Sequence, residues 1–488
     1  MTIPNAELNI LDGGLGVGPD PVTAVAIIGT SSAGSVDTPL VTNDATLVAS
    51  TFGTGQLVDA ASMLISAGVT VVCVKATTGT PGSAGSVTAT RVGSSDGTIV
   101  VSTSVPLDSY EVVVEILKDT DDTADGDGTF RYSLDRGDRW SATIAIPIGT
   151  SPKSYTIPDT GVVLTFTNGS ASPTFEDGDL FSFDCEPPAY TTAAMGTAYD
   201  ALVANPARWR FVWSLGEADT AANSAAHAIA LEAKLAASAA SSSLRRHARG
   251  LIGAADATDA NLIAAFVDNA TTRVNVTAGF ANWLSDSRAG FLKRSASWPT
   301  ALRWATVPPS EDLGCVASGP LPRISRRADG SSGLYRDENL TPGLTAQRFT
   351  TLRTLPPRAG YYITEGRLMA GADSDFKYTQ RGTVMDIACE VIFPGLQYFI
   401  NWNLRKNPDG TLDSRDANFI QKRLYSALAD AILRTTPPYV SGIEVTVRKD
   451  LPNLPADTLA AKFRIQPHDK ARDIIGEVQF TKQLVEEG

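Results

Sequence analysis

The 488-residue sequence lacks most of the short patterns from which catalytic sites are built. Neither GKS nor GKT occurs, so there is no phosphate-cradling P-loop. The string GGLGVG at 13–18 does not fit GxGxxG and follows no strand pattern; it reads as a linker. Histidine, the commonest general base, is present only as His227, His247 and His468. The first two lie on or beside an Ala-rich helical stretch and the third follows a proline in a loop, so all three read as surface or packing residues. No catalytic and no cofactor-binding residue is expected, and the chain does not read as an enzyme.

Other absences narrow the class further. No run of eighteen apolar residues exists, which excludes a membrane-spanning helix, and MTIPNAELNI has neither the basic nor the apolar region of a signal peptide. Synthesis and folding in a cytoplasm are expected. The four cysteines, Cys73, Cys185, Cys315 and Cys389, show no CxxC or Cys/His spacing, so no zinc site is expected. Cys73 in VTVVCVKA and Cys389 in MDIACEVIF lie in strand-like runs and read as buried thiols. Cys185 in FSFDCEPPAY and Cys315 in PSEDLGCVASGP sit among turn residues; they read as exposed and open to an inter-subunit disulfide once a particle meets oxidising medium.

Basic charge is also scarce. The net charge is −12, and residues 1–188 carry 7 basic against 23 acidic side chains, whereas 189–299 and 300–488 are each +2. Such a chain has no basic face on which counterion release could hold nucleic acid. Asp119, Asp121, Asp122, Asp125 and Asp127 form an acidic loop, but Thr123 and Tyr132 occupy positions where an EF-hand needs ligands. It reads as a solvated hairpin loop, and Arg136-Gly137-Asp138 reads as a turn. No metal site is expected.

What is present is patterned for folding. Residues 1–20 hold one alternating stretch, Glu7–Leu11, then a Gly/Pro-rich tether, and read as an N-terminal arm. PVTAVAIIG, a helix pattern over Gln56–Ala67 closed by Gly68, and VTVVCVKA predict a parallel βαβ unit. From 86 to 188 alternating segments replace helix: GTIVVSTSV, SYEVVVEIL, TFRYSL, SATIAIPI, VVLTFTN and LFSFD predict an inserted all-β domain. It carries 6 basic and 17 acidic residues and is expected to face outward. Helical patterns at Ala189–Val203 and Thr220–Ser243 alternate with RFVWSL and ARGLIGA. Residues 306–370 read as loops and a connector containing the strand pair of RAGYYITEGRLMA, and 371–488 as a C-terminal domain. Its helix is expected at Phe419–Leu433, with Ile420, Leu424 and Leu428 on one face, followed by strands in SGIEVTVRKD, AKFRIQPHD and GEVQFTKQL. The predicted fold class is therefore α/β and α+β, multidomain: a discontinuous α/β core at 21–85 and 189–305, the β insertion, and a C-terminal α+β domain with terminal arms.

The ordered set of segments resembles contractile bacteriophage tail sheath proteins, in particular the Mu-like branch. VAIIGTSSAGSVDTPLVTNDATLVASTFGTG, with the helix and VTVVCVKA, is similar to the family's opening. LTAQRFTTLRTLPPRAGYYITEGRLMA is similar to the strand pair entering its C-terminal domain, and IEVTVRKDLPNLPADTLAAKFRIQPHD with IIGEVQFTK to that domain's end. One departure is Glu365-Gly366-Arg367-Leu368, where many members carry a Gly-Ala-Arg-Thr-like sequence.

The resemblance implies a structural virion protein that forms stacked helical rings, hexameric as in the family, around a tail tube. It also implies baseplate and tail terminator partners, and contraction that drives genome ejection. It implies strand exchange between copies through Glu7, Leu8, Asn9, Ile10 and Leu11, and through Glu477, Val478, Gln479, Phe480 and Thr481. Lys422, Arg423 and Arg434 are candidates to face the tube. The alternative reading is another outer virion protein or adhesin.

Overall fold

The computed structural model describes residues 24–121, 127–147, 151–216, 220–241, 245–288, 290–324, 337–408, 411–447 and 459–470. The chain divides into two compact units, residues 1–390 and 391–488. The first is organised by a six-stranded sheet that opens with β1 (Val25–Gly29), an apolar run buried along its whole length, as strands covered on both faces must be. A short β2 (Leu40–Thr42) is followed by α1 (Ala45–Phe52), whose N-cap Asp44 accepts from Thr46 N–H. Next come α2 (Gln56–Ser66) and β3 (Val71–Lys75), with Gly68 at φ 81° turning the chain out of the helix.

The chain then leaves the sheet for a β region. β4 (Ser83–Ala84), β5 (Thr88–Thr90) and β6 (Thr98–Val100) are short; β7 (Tyr110–Lys118) is the long central strand. β8 (Thr129–Ser133), β9 (Ile144–Ala145), β10 (Lys153–Thr156), β11 (Val163–Thr167) and β12 (Leu180–Glu186) complete two antiparallel sheets, ordered β4-β12-β7-β8-β9 and β10-β11-β6. Alternate residues of β12 point inward, and Phe130, Phe166, Phe175 and Phe181 meet edge-on or tilted in one core.

Return to the first sheet runs through α3 (Thr192–Ala204), β13 (Phe211–Ser214), the Ala-rich α4 (Ala221–Ala240), β14 (Arg249–Gly253), α5 (Asp259–Phe266) and β15 (Val274–Thr277). The order is β15-β14-β13-β1-β3-β2, parallel except for β2. Strands on either side of the β region thus share one sheet. A hairpin of β16 (Phe280–Leu284) and β17 (Phe291–Ser295) leads into α6 (Ser297–Thr306). Trp213, Trp283, Trp298 and Trp304 are buried here in a single apolar core.

β18 (Leu352–Leu355) and β19 (Arg358–Ile363) form the expected strand pair, set earlier than the RAGYYITEGRLMA run alone suggested. MDIACEVIF is not a strand: it lies within α7 (Thr379–Gln397). In the second unit α8 (Ser414–Leu428) carries the expected Ile420, Leu424 and Leu428 stripe, but it starts five residues early and gives way to a π-turn over Ala429–Leu433. β20 (Val440–Val447) and β21 (Ala461–Pro467) pair antiparallel, with α8 packed on β20. The eight described helices include none long and apolar enough to cross a membrane.

Candidate functional site: a filled crevice and an open sheet

In a doubly wound sheet, ligands bind beyond the carboxyl ends of the strands, where the strand order reverses. Here that point lies between β1 and β13, because β3 follows β1 on one side and β14 follows β13 on the other. Three residues converge on it. Tyr190 stands just before the Thr191 cap of α3, Ser214 ends β13, and His227 lies two turns into α4. Tyr190 donates to the Ile28 carbonyl (3.2 Å), lies 2.7 Å from Ser214 Oγ, and accepts from Gly216 N–H (2.8 Å). His227 Nε2 is 2.8 Å from the same Ser214 hydroxyl. Gly216 permits this closeness, since a Cβ there would stand 2.5 Å from the Tyr190 ring.

All three side chains are buried. Burial pushes Tyr190 up to about 12 and His227 down to about 4, so both are neutral at pH 7. A serine hydroxyl beside a neutral imidazole has the makings of a nucleophile and base. Ser214, however, is sealed from solvent, and among the described residues no carboxylate orients His227. The network is a hydrogen-bonded plug in the place where related topologies keep a ligand. Tyr190 and His227 also line a cavity of about 750 Å³, together with Asn223, Asp256, Phe280 and Lys293 among others.

The second unit has the opposite character. Tyr398, Trp402 and Phe419 are exposed yet gathered, with Trp402 and Phe419 stacked at 6.1 Å between ring centres and Tyr398 5.7 Å from Trp402. Arg423 covers Tyr398 at 3.8 Å, a cation–π contact that fixes it beside the aromatics. Lys422 is exposed on the same helix, whereas Arg434 lies beyond the π-turn and pairs with Asp430 at 2.6 Å. The expectation had placed all three cations on one helix. The aromatic group was not read from the sequence, although Phe419 lies one position off the apolar stripe of α8.

Both strand arms, Glu7–Leu11 and Glu477–Thr481, lie outside the described residues. The exposed thiol expected of Cys185 is corrected. Cys185 is 1% exposed in β12, and burial, with Asp184 and Glu186 alongside, pushes it up to about 12. A bridge from it to another copy would first require that strand to open. Cys315 is half-buried before a short 3-10 turn. Cys73 is buried in β3, and Cys389 is half-buried on a helix. In the acidic loop Asp119 accepts from Asp177 N–H (2.6 Å) and Asp121 from Ser172 Oγ (2.6 Å), so both carboxylates pin the loop to its neighbour. Among the described residues no group of His, Cys, Asp and Glu is placed to hold a metal ion.

A family model described as DUF2586, N-terminal domain, matches residues 3–367. The chain belongs to the DUF2586 family. No curated protein matches it. Among solved structures, 98% of this DUF2586 chain aligns with 98% of a chain in the contracted anti-feeding prophage baseplate, at 10% identity and TM-score 0.50. A sheath tail protein from Desulfitobacterium hafniense aligns over 94% of this chain and 99% of its own, at 12% identity and TM-score 0.43. One from Listeria innocua aligns over 91% and 95%, at 9% identity and TM-score 0.41. At these identities the likeness is one of fold. These three structures similar to this DUF2586 chain are two sheath tail proteins and a contracted anti-feeding prophage baseplate, and none of the three bears on the Mu-like branch.

Proposed function

We propose that the chain is a sheath subunit of a contractile injection machine. In this reading it assembles as stacked rings around an inner tube, attached to a baseplate and closed by a terminator, within a virion or virion-like particle. Contraction drives the tube through an envelope, and the subunit works as a structural element without catalysis.

The observation that carries the reading is the sheet of the second unit. Among the described residues β20 and β21 pair only with each other, leaving two open edges. A two-stranded sheet is marginal by itself and gains from further strands, and open edges are templates for main-chain pairing. Arms from other copies, Glu7–Leu11 and Glu477–Thr481, would fill them by strand addition. Main-chain hydrogen bonds would then hold neighbours together while the tethers let subunits rotate, and a head-to-tail arrangement of this kind stays open and builds a tube. The exposed Tyr398, Trp402 and Phe419, with Arg423 over Tyr398, suit the tube-facing surface, since aromatic residues and Arg are enriched at protein interfaces; Lys422 lies beside them on the same helix.

Removing residues 1–15 tests the reading. The truncated chain is expected to keep the circular dichroism and melting of its folded units but to sediment as a monomer, where the full chain forms tubes by negative-stain microscopy. Tubes of normal length from the truncated chain would overturn it.

A further inference from the structure

Arg294 of β17 has 0% exposure and is shared by two carboxylates that come from different parts of the chain. Its guanidinium grips Asp108, which stands two residues before the long strand of the β region, through both terminal nitrogens, with Nη2 at 2.7 Å. The same Nη2 lies 2.7 Å from Asp59 of α2, and the plane stacks over Trp298 at 4.2 Å. Asp59 also accepts from Ser285 Oγ, the Asp286 and Ser287 N–H groups and Ser287 Oγ, at 2.5–3.1 Å. Burial alone would raise its pKa; Arg294 and these donors hold it below the usual carboxylate range.

Three regions therefore meet at one cation: the first and second halves of the α/β core and the β insertion. The chain passes into and out of the insertion through a narrow antiparallel neck, in which Gly79 and Thr80 bond Ala189 and β4 pairs with the end of β12. Elsewhere the insertion meets the β16–β17 hairpin through Leu292, which joins its apolar core, through Arg139 over Phe291, and through Arg288, which lies over Tyr110 and donates from Nη2 to the Asp159 carbonyl. Apolar burial is non-directional, the neck lies at one end of the insertion, and the Arg288 contact is a single hydrogen bond to an exposed turn. A forked guanidinium on a carboxylate has one geometry, and slipping it would strand two carboxylates in a buried site.

We propose that Arg294 is an ionic latch that fixes the orientation of the β insertion on the α/β core, so that the two move as one body. The proposal does not depend on the sheath reading. It is tested in the full chain carrying Cys315→Ser and Cys389→Ser, with spin labels at Thr143→Cys in the insertion and Ala193→Cys on α3, both at exposed positions. The wild-type latch is expected to give one narrow distance distribution. Arg294→Gln is expected to widen it roughly two-fold while near-ultraviolet circular dichroism from the buried tryptophans persists. Should Arg294→Gln fail to fold, the double variant Asp108→Asn with Arg294→Gln removes the unpaired charge from the insertion side, and the same widening is expected. A broad wild-type distribution, an unchanged width in a folded variant, or loss of the whole fold in both variants would each overturn the latch.

Discussion

The two units of the chain use charge and aromatic surface in opposite ways. In residues 1–390 two arginines form buried, forked ion pairs: Arg249 holds Asp386 at 2.7 and 2.9 Å, with both side chains nearly inaccessible, as Arg294 holds Asp108. In residues 391–488 each described pair keeps its arginine in solvent: Arg434–Asp430, Arg464–Glu444 and the forked Arg405–Asp416, where water screens the attraction. Trp213, Trp283, Trp298 and Trp304 are buried in the first unit, whereas Trp402 of the second is 42% exposed. Among the described residues, the second unit leaves both edges of its two-stranded sheet unpaired and three aromatic rings exposed.

The contrast can be broken most directly in the first unit. Trp213→Ala removes a fully buried indole packed edge-on against Trp298 at 5.1 Å and is expected to cost about 4 kcal/mol by urea unfolding. A loss below about 1 kcal/mol would show a core able to collapse around the gap.

Acid gives the next largest effect. His227 titrates near 4 when folded, against an ordinary value of 6.5. Between these values the unfolded chain binds the extra proton, so stability falls as pH drops through the window, by on the order of 3 kcal/mol in all. Melts from pH 7 to pH 4 check this, and His227→Gln is expected to flatten the dependence. An unchanged slope in that variant would place the titrating group elsewhere.

A smaller effect is expected from Thr191→Ala. It removes the α3 cap on the Ala194 N–H (3.2 Å) beside Tyr190 and should cost about 1 kcal/mol in thermal unfolding. Smallest of all is the paired change Trp402→Ser with Phe419→Ser, expected to leave folding stability within about 0.5 kcal/mol because both rings are exposed. Assembly onto tube, followed by co-sedimentation, is where that variant should fail. A large stability loss would make the patch part of a core and remove the contrast between the units.

Much of the fold was legible where burial on both faces forces continuous apolar runs, as in VAIIG and VTVVCVKA, or where a helix carries a stripe, as Ile420, Leu424 and Leu428 do. Short apolar runs misled because periodicity cannot separate buried strand from buried helix over so few residues. In MDIACEVIF the decisive signal lay outside the run. Gly382, Asp386 and Glu390 recur every four residues, and that face of α7 meets Arg249 and Arg208. Cys185 was misplaced for a similar reason: Pro187 and Pro188 marked a turn, yet the alternation through Phe181, Phe183 and Cys185 continues to the strand's last turn inward. The Tyr190–Ser214–His227 network had no local signature at all, since topology brings together residues 37 positions apart along the chain.

That network also changes what the sheet can be used for. A doubly wound scaffold ordinarily keeps a vacancy at its crest for a passing guest, and its behaviour then follows the supply of that guest. With a tyrosine from the chain itself seated there, the tenant is permanent. Its hydroxyl is committed to Ile28, Ser214 and Gly216, so a guest entering the adjoining cavity would meet a crest whose polar groups the chain already satisfies.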